Sequence, residues 1–176
     1  MLNLIEVKLG NQLQKEEIIN ICKLKNQHWP MDLKKQIISW FILTHKNDKL
    51  LSISFKENTV AFLRLKLRKI IANKKVFDSY TLSEVCIDKQ FQGKGLGTKI
   101  IKKSQDIIMQ NKIPGYLLCE SNLINFYKKL GWKNIKNIKT VEKVNAEEKN
   151  LNHKKTCFFY NLLSNYDNIK LVGKMF

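Results

Sequence analysis

Apolar and polar residues alternate over Leu4 to Leu9, with Ile5, Val7 and Leu9 on one side, which predicts a first strand. From Leu13 to Gln27 the spacing lengthens to a helical period that turns Ile18, Ile21 and Cys22 inward. His28-Trp29-Pro30 breaks that helix, and Asp32 is placed to cap a second one carrying Leu33, Ile37, Trp40 and Phe41. Leu51, Ile53 and Phe55 mark a strand that ends at the turn Lys56-Glu57-Asn58. Leu63, Leu65 and Leu67 then alternate with Arg64, Lys66 and Arg68, a pattern that predicts a half-buried strand with a basic outer face. Asn73-Lys74-Lys75 turns the chain into a further strand from Val76 to Ile87.

Beyond that strand, Asp88 to Phe91 reads as a turn, followed by Gln92-Gly93-Lys94-Gly95-Leu96-Gly97. A helix comes next, with Ile100, Ile101, Ser104, Ile107 and Ile108 on one face. Pro114-Gly115 ends this helix region, and Tyr116 to Cys119 predicts a short strand. Ser121 or Asn122 is suited to cap another helix, which Gly131 ends before Trp132 opens a strand continuing through Asn134 to Lys139. Glu142 to Lys155 is polar and lacks periodicity, so a loop is expected there. Thr156 to Leu162 predicts a last strand, antiparallel to the one from Trp132. Ser164 to Phe176 forms a tail in which Ile169 to Val172 fits either an added strand or a contact with a second subunit.

The strand, glycine-rich turn and helix start at Val85 to Thr98 carry the clearest chemistry. Glycines let a ligand approach the backbone, and the first-turn N–H groups of a helix have no partner within it. The helix dipole favours an anion there, so the stretch reads as a phosphate cradle. It is not a nucleotide P-loop, because no lysine directly precedes Thr98. It is not a dinucleotide fingerprint either, since Gly93, Gly95 and Gly97 alternate. Taken alone, the six residues fit equally a turn whose glycines only end a strand and begin a helix.

A second block decides between these readings. Gln92, Gly95 and Gly97 fill the pattern Gln/Arg-x-x-Gly-x-Gly/Ala, which resembles the acyl-CoA pyrophosphate loop of the GNAT superfamily of N-acetyltransferases. Asn122, followed by Asn125-Phe126-Tyr127-Lys128-Lys129-Leu130-Gly131-Trp132, resembles the later segment of that family, an Asn ahead of Phe-Tyr-x-x-x-Gly-Phe/Trp. The resemblance implies an α/β (α+β) fold built on a mixed, mostly antiparallel sheet flanked by helices. It further implies about six to seven strands, splayed between the fourth and fifth, that is, between the strand ending at Ile87 and the one at Leu117-Cys119. It implies acetyl-CoA as co-substrate and no metal. The pantetheine arm would pair with the backbone of Val85 and Ile87 and with Asn122. The pyrophosphate would take the N–H groups of Gln92, Gly93, Lys94, Gly95, Leu96, Gly97 and Thr98. Tyr127 matches the family tyrosine that serves as general acid to the CoA sulfur. Glu84 stands where many members carry a glutamate that acts as base or anchors the acceptor.

Composition bounds the rest. A chain of 176 residues is expected to form one domain, here residues 1–163 with the tail 164–176 beyond it. No apolar stretch spans a membrane and the first residues lack a signal peptide's pattern, so a cytoplasmic protein is expected, with no membrane partner. Cys22, Cys86, Cys119 and Cys157 sit singly in apolar runs, as small core residues do. The net charge of +17 comes almost wholly from lysine, with Arg64 and Arg68 the only arginines. Such a field attracts anions such as CoA, an acidic substrate or RNA, while arginine-based nucleic-acid readout is not indicated. Three activities stay open: an N-acetyltransferase acting on an unidentified primary amine, a catalytically silent acyl-CoA-binding regulator, and a basic RNA- or ribosome-associated acetyltransferase. Intact Tyr127 and Glu84 favour turnover. The sequence does not fix the oligomeric state; a dimer is compatible with it.

Overall fold

The structure, a computed structural model, describes residues 4–135, 138–144, 147–150, 156–162 and 169–172. Its contacts divide into two compact units, Met1–Lys66 with Ser83–Ser104 and Leu67–Leu82 with Gln105–Phe176.

The first unit opens with strand β1 (Glu6–Leu9) and helices α1 (Lys15–Asn26) and α2 (Leu33–Leu43). A capping box starts α1: the Glu17 carboxylate accepts from the Gln14 N–H at 2.9 Å. Asp32 caps α2 as expected, its side chain accepting from the Lys35 N–H at 3.1 Å. Strand β2 (Lys49–Phe55) pairs antiparallel with β1 and with the first half of β3 (Asn58–Ala72), in the registers Val7↔Leu51 and Leu51↔Leu63. The end of β4 (Lys75–Ile87) and the start of α3 (Leu96–Asn111) complete this unit. Its core joins Ile18, Ile21, Leu24, Trp40, Leu50, Phe62 and Cys86.

On α2, Phe41 faces out and is 66% exposed, as are Ile38 and Ile42 in large part, because Gln36 and Trp40 take the inward face. One expectation needs correction here. Arg64 and Lys66 do not form a solvated outer face; both are buried. From Val60 to Lys66 the strand β3 is buried on both sides, and the cover ends at Leu67, which is 45% exposed.

In the second unit, Asn73 and Lys74 join β3 to β4 with φ of 49° and 64°, the left-handed pair that a two-residue hairpin requires. Strand β5 (Gly115–Cys119), helix α4 (Ile124–Lys129), β6 (Lys133–Asn134), β7 (Ile138–Val144), β8 (Glu147–Asn150), β9 (Thr156–Tyr160) and β10 (Ile169–Val172) follow. The strands lie in the order β6-β9-β5-β4-β3-β10-β7-β8. This is the mixed, mostly antiparallel sheet expected. The β4–β5 pair is parallel and comprises Tyr80↔Gly115 and Thr81↔Tyr116, ending early as a splayed sheet requires. As predicted, β9 runs antiparallel to β6.

The expected loop from Glu142 is instead partly strand. β7 and β8 form an antiparallel ladder from Val141↔Asn150 to Val144↔Glu147, with residues 145–146 and 151–155 outside the described ones. Backbone pairing builds it without an apolar period to announce it. In the tail, β10 inserts between β3 (antiparallel) and β7 (parallel), burying Ile169 and Leu171 with Ile70, Tyr116, Cys157 and Phe159. Residues 136–137 of the strand expected to run on from Asn134, and 164–168 and 173–176 of the tail, lie outside the described residues.

Candidate functional site

In the first unit, β4 leaves regular geometry at Glu84, whose φ of 54° is left-handed inside a strand. A non-glycine residue held there stores strain, which the surroundings must hold in place. The surroundings are two cations. Lys25 Nζ lies 2.7 Å from Glu84 Oε1, and Arg64 Nη2 lies 2.7 Å from Oε2. The Arg64 contact is an ion pair without hydrogen-bond alignment, since Nη2 and Oε2 are both buried without such a bond, as are Arg64 Nε and Nη1. The guanidinium, wholly buried, stacks instead 4.5 Å from the Trp40 ring centroid. Burial pulls its pKa down, and the charges of Glu84 and Asp48 oppose that pull. Both oxygens of Glu84 are thus drawn to cations, while its side chain keeps 18% of its surface open.

Past Glu84, Val85 is half-buried, and the Ile87 carbonyl accepts from His28 Nε2 at 2.8 Å and from the Gln92 side-chain amide at 3.4 Å. Asp88 caps a short 3-10 turn, Lys89–Phe91, by accepting from the Gln90 N–H at 2.9 Å. Gly93 and Gly95 then take φ of 75° and 79°, and a Cβ on either would meet no atom within 4 Å. Only glycine adopts this backbone at little cost, and nothing fills the space beside it. The Gly95 carbonyl accepts from the Lys99 N–H at 3.0 Å. The N–H groups of Leu96, Gly97 and Thr98 are therefore the unpaired first turn of α3. Gln92, Gly93, Lys94 and Gly95 are exposed, and Lys94 Nζ rests 4.9 Å from the Phe91 ring centroid.

In the second unit, Tyr127 lies on α4, buried against Phe126, Trp132 and Phe158 at ring distances of 5.1, 6.2 and 6.2 Å. Burial pushes the phenol's pKa well above its ordinary value, with Cys119 adding to the rise. Asn122 is exposed in a 3-10 turn, Ser121–Leu123. Neither it nor Ser121 caps a helix: Glu120 precedes the turn and Leu123 precedes α4, both without a side-chain cap.

Lys25, Arg64 and Gln27 are the residues near Glu84 and the loop that sequence reasoning passed over. Arg64 had one visible signal, the unbroken apolar run Val60-Ala61-Phe62-Leu63 that marks a strand buried on both faces. Lys25 and Gln27 had none, because only the fold carries the end of α1 to β4. The four cysteines are buried free thiols, and among the described residues no cluster of His, Cys, Asp and Glu is arranged to hold a metal. No helix among the described residues is long and apolar enough to cross a membrane.

The sequence pattern of a family described as Acetyltransferase (GNAT) domain matches residues 46–134, a span holding the glycine loop, Glu84 and Tyr127. No curated protein matches the chain. Similar solved structures include Escherichia coli ElaA, with TM-score 0.64 and 15% identity over 90% of this chain and 99% of that one. An acyl-CoA N-acyltransferase from Pseudomonas aeruginosa has TM-score 0.61 and 14% identity over 90% and 99% of the two chains. Glucosamine-6-phosphate N-acetyltransferase from Arabidopsis thaliana has TM-score 0.58 and 15% identity over 76% and 95%. At these identities the likeness is one of fold alone.

Proposed function

The chain belongs to the GNAT acetyltransferase family, and from that premise we propose that it transfers an acetyl group from acetyl-CoA to a primary amine. The observation that carries this reading is the loop from Gln92 to Thr98. Its left-handed glycines, the open space beside them and the unpaired N–H groups of the α3 first turn suit a diphosphate. Lys94, Lys99 and Lys102 are exposed on or just after it and add positive charge. The backbone of Val85 and Ile87 holds the pantetheine arm, with one lone pair of the Ile87 carbonyl already engaged by His28. Asn122, whose side chain caps no helix, is left to hydrogen-bond the same arm.

In the reaction the neutral amine nitrogen bonds to the thioester carbonyl carbon, the carbon–sulfur bond breaks, the nitrogen gives up a proton to water, and the departing sulfur takes one up. Tyr127 is assigned to the departing sulfur. Its raised pKa keeps the phenol protonated at physiological pH, so it arrives as a donor. Glu84 keeps lone pairs beyond those facing Lys25 and Arg64. With both oxygens already drawn to cations, it is better suited to anchoring the acceptor, directly or through water, than to taking its proton. The cytoplasm, where acetyl-CoA is available, is the proposed compartment.

Calorimetry with acetyl-CoA and thiol release over a panel of amines test this. Tyr127→Phe is expected to lower turnover roughly 10²-fold while leaving acetyl-CoA affinity little changed. Equal turnover in the two proteins removes the role given to Tyr127. Absence of acetyl-CoA uptake by the wild type removes the whole reading.

A further inference from the structure

Helix α1 ends directly on the segment that leads into the glycine loop. Gln27, its C-cap, uses both ends of its side-chain amide there. Nε2 donates to Asp88 Oδ2 at 2.8 Å, and Oε1 accepts from the Lys89 N–H at 3.1 Å. His28 Nε2 lies 2.8 Å from the Ile87 carbonyl, which can only accept, so that nitrogen carries the proton. Asp88 is fixed further by its N–H to the Val60 carbonyl at 2.8 Å and by its cap on Gln90. Two adjacent side chains thus hold three consecutive residues, Ile87, Asp88 and Lys89, at the one place where the strand turns into the loop.

We propose that Gln27 and His28 are positioning residues for acetyl-CoA: they fix how the chain leaves β4 and so hold the loop N–H groups in a binding-ready arrangement. The proposal rests on the acetyltransferase reading above. Ligand contacts made by exposed backbone amides are worth most when the loop is ordered beforehand, because otherwise binding must also order it. The loop bends at two glycines, the residues with most conformational freedom to lose. Its own turn contributes a hydrogen bond from the Lys94 N–H to the Phe91 carbonyl that is long, at 3.4 Å. The side chains of Gln27 and His28 supply shorter bonds from outside.

The test measures the acetyl-CoA Kd by calorimetry, and amide hydrogen exchange over residues 88–96, in variants whose melting temperature shows them folded. Gln27→Met removes both amide bonds without adding charge; Gln27→Glu keeps the shape but sets a second carboxylate against Asp88. His28→Ala removes the imidazole donor, and His28→Gln restores an N–H. The expected result is a Kd raised roughly tenfold in Gln27→Met, Gln27→Glu and His28→Ala, with faster exchange at 88–96 and recovery in His28→Gln. Unchanged Kd and exchange overturn the proposal. Tighter binding by His28→Ala also overturns it, since His28 would then compete with the ligand for the Ile87 carbonyl. If the wild type takes up no acetyl-CoA, the acetyltransferase reading fails separately, and exchange alone decides whether the two side chains order the loop.

Discussion

Arg64 illustrates how a single residue shapes its neighbourhood. A guanidinium with no exposed surface must be compensated, and here Glu84 and the Trp40 face do so. Removing the carboxylate leaves that charge stranded. Glu84→Ala is therefore expected to cost on the order of 3 kcal/mol in urea unfolding. Adding Arg64→Met, which takes the stranded charge away, should recover much of the loss. A Glu84→Ala protein as stable as wild type would show that the pair contributes nothing to the fold. The alternation Leu63-Arg64-Leu65-Lys66-Leu67 concealed this role, because period-two spacing says which residues share a face but not whether the other face is covered. Tyr127 was singled out through its match to a family motif, and the structure packs it against Phe126 and Trp132, its neighbours in sequence.

Among elements, the strand, loop and helix from Val85 to Asn111 were readable almost to the residue, because glycine, proline and apolar spacing each act locally. The consequence can be tested at Gly95. A Cβ there meets nothing, so Gly95→Ala costs only its left-handed backbone, about 1–2 kcal/mol, in denaturant unfolding. Acetyl-CoA affinity should fall by more than that stability change alone predicts, because relaxing the turn re-aims the N–H groups of Leu96 to Thr98. A variant that binds as wild type would detach the loop from the ligand. Helix α2 was harder. Its apolar residues surround it, so the sequence predicted its existence and its cap but not which side faces in, where Trp40 and Gln36 lie while Phe41 is exposed. The β7–β8 ladder and β10 were missed or left open, since strands held by their neighbours need no period of their own.

At the scale of the whole molecule, burial leaves a titration signature. The thiols of Cys22, Cys86 and Cys157 and the phenol of Tyr127 are pushed above their ordinary pKa by burial, and the Tyr116 phenol is raised to about 12. These acids are neutral when folded and ionise more readily when unfolded, near ~8.5 for Cys and ~10 for Tyr. Their contribution is complete below the unfolded values and is lost as pH rises through the folded ones. The melting temperature is expected to fall steadily between about pH 8.5 and 11; a flat profile would contradict burial of these groups. The +17 charge, the most obvious property of the composition, gave no guide to any of this, since net charge speaks to association and solubility rather than to fold.

Strand β10 has a bearing on biosynthesis. Residues 169–172 wedge between β3 and β7, which precede them in the chain, so those two strands have no finished pairing surface until the segment emerges. A nascent polypeptide paused before residue 169 on the ribosome carries the second unit with Ile70 and Ala72 bared, a state for chaperones to shelter rather than one that can wait unattended.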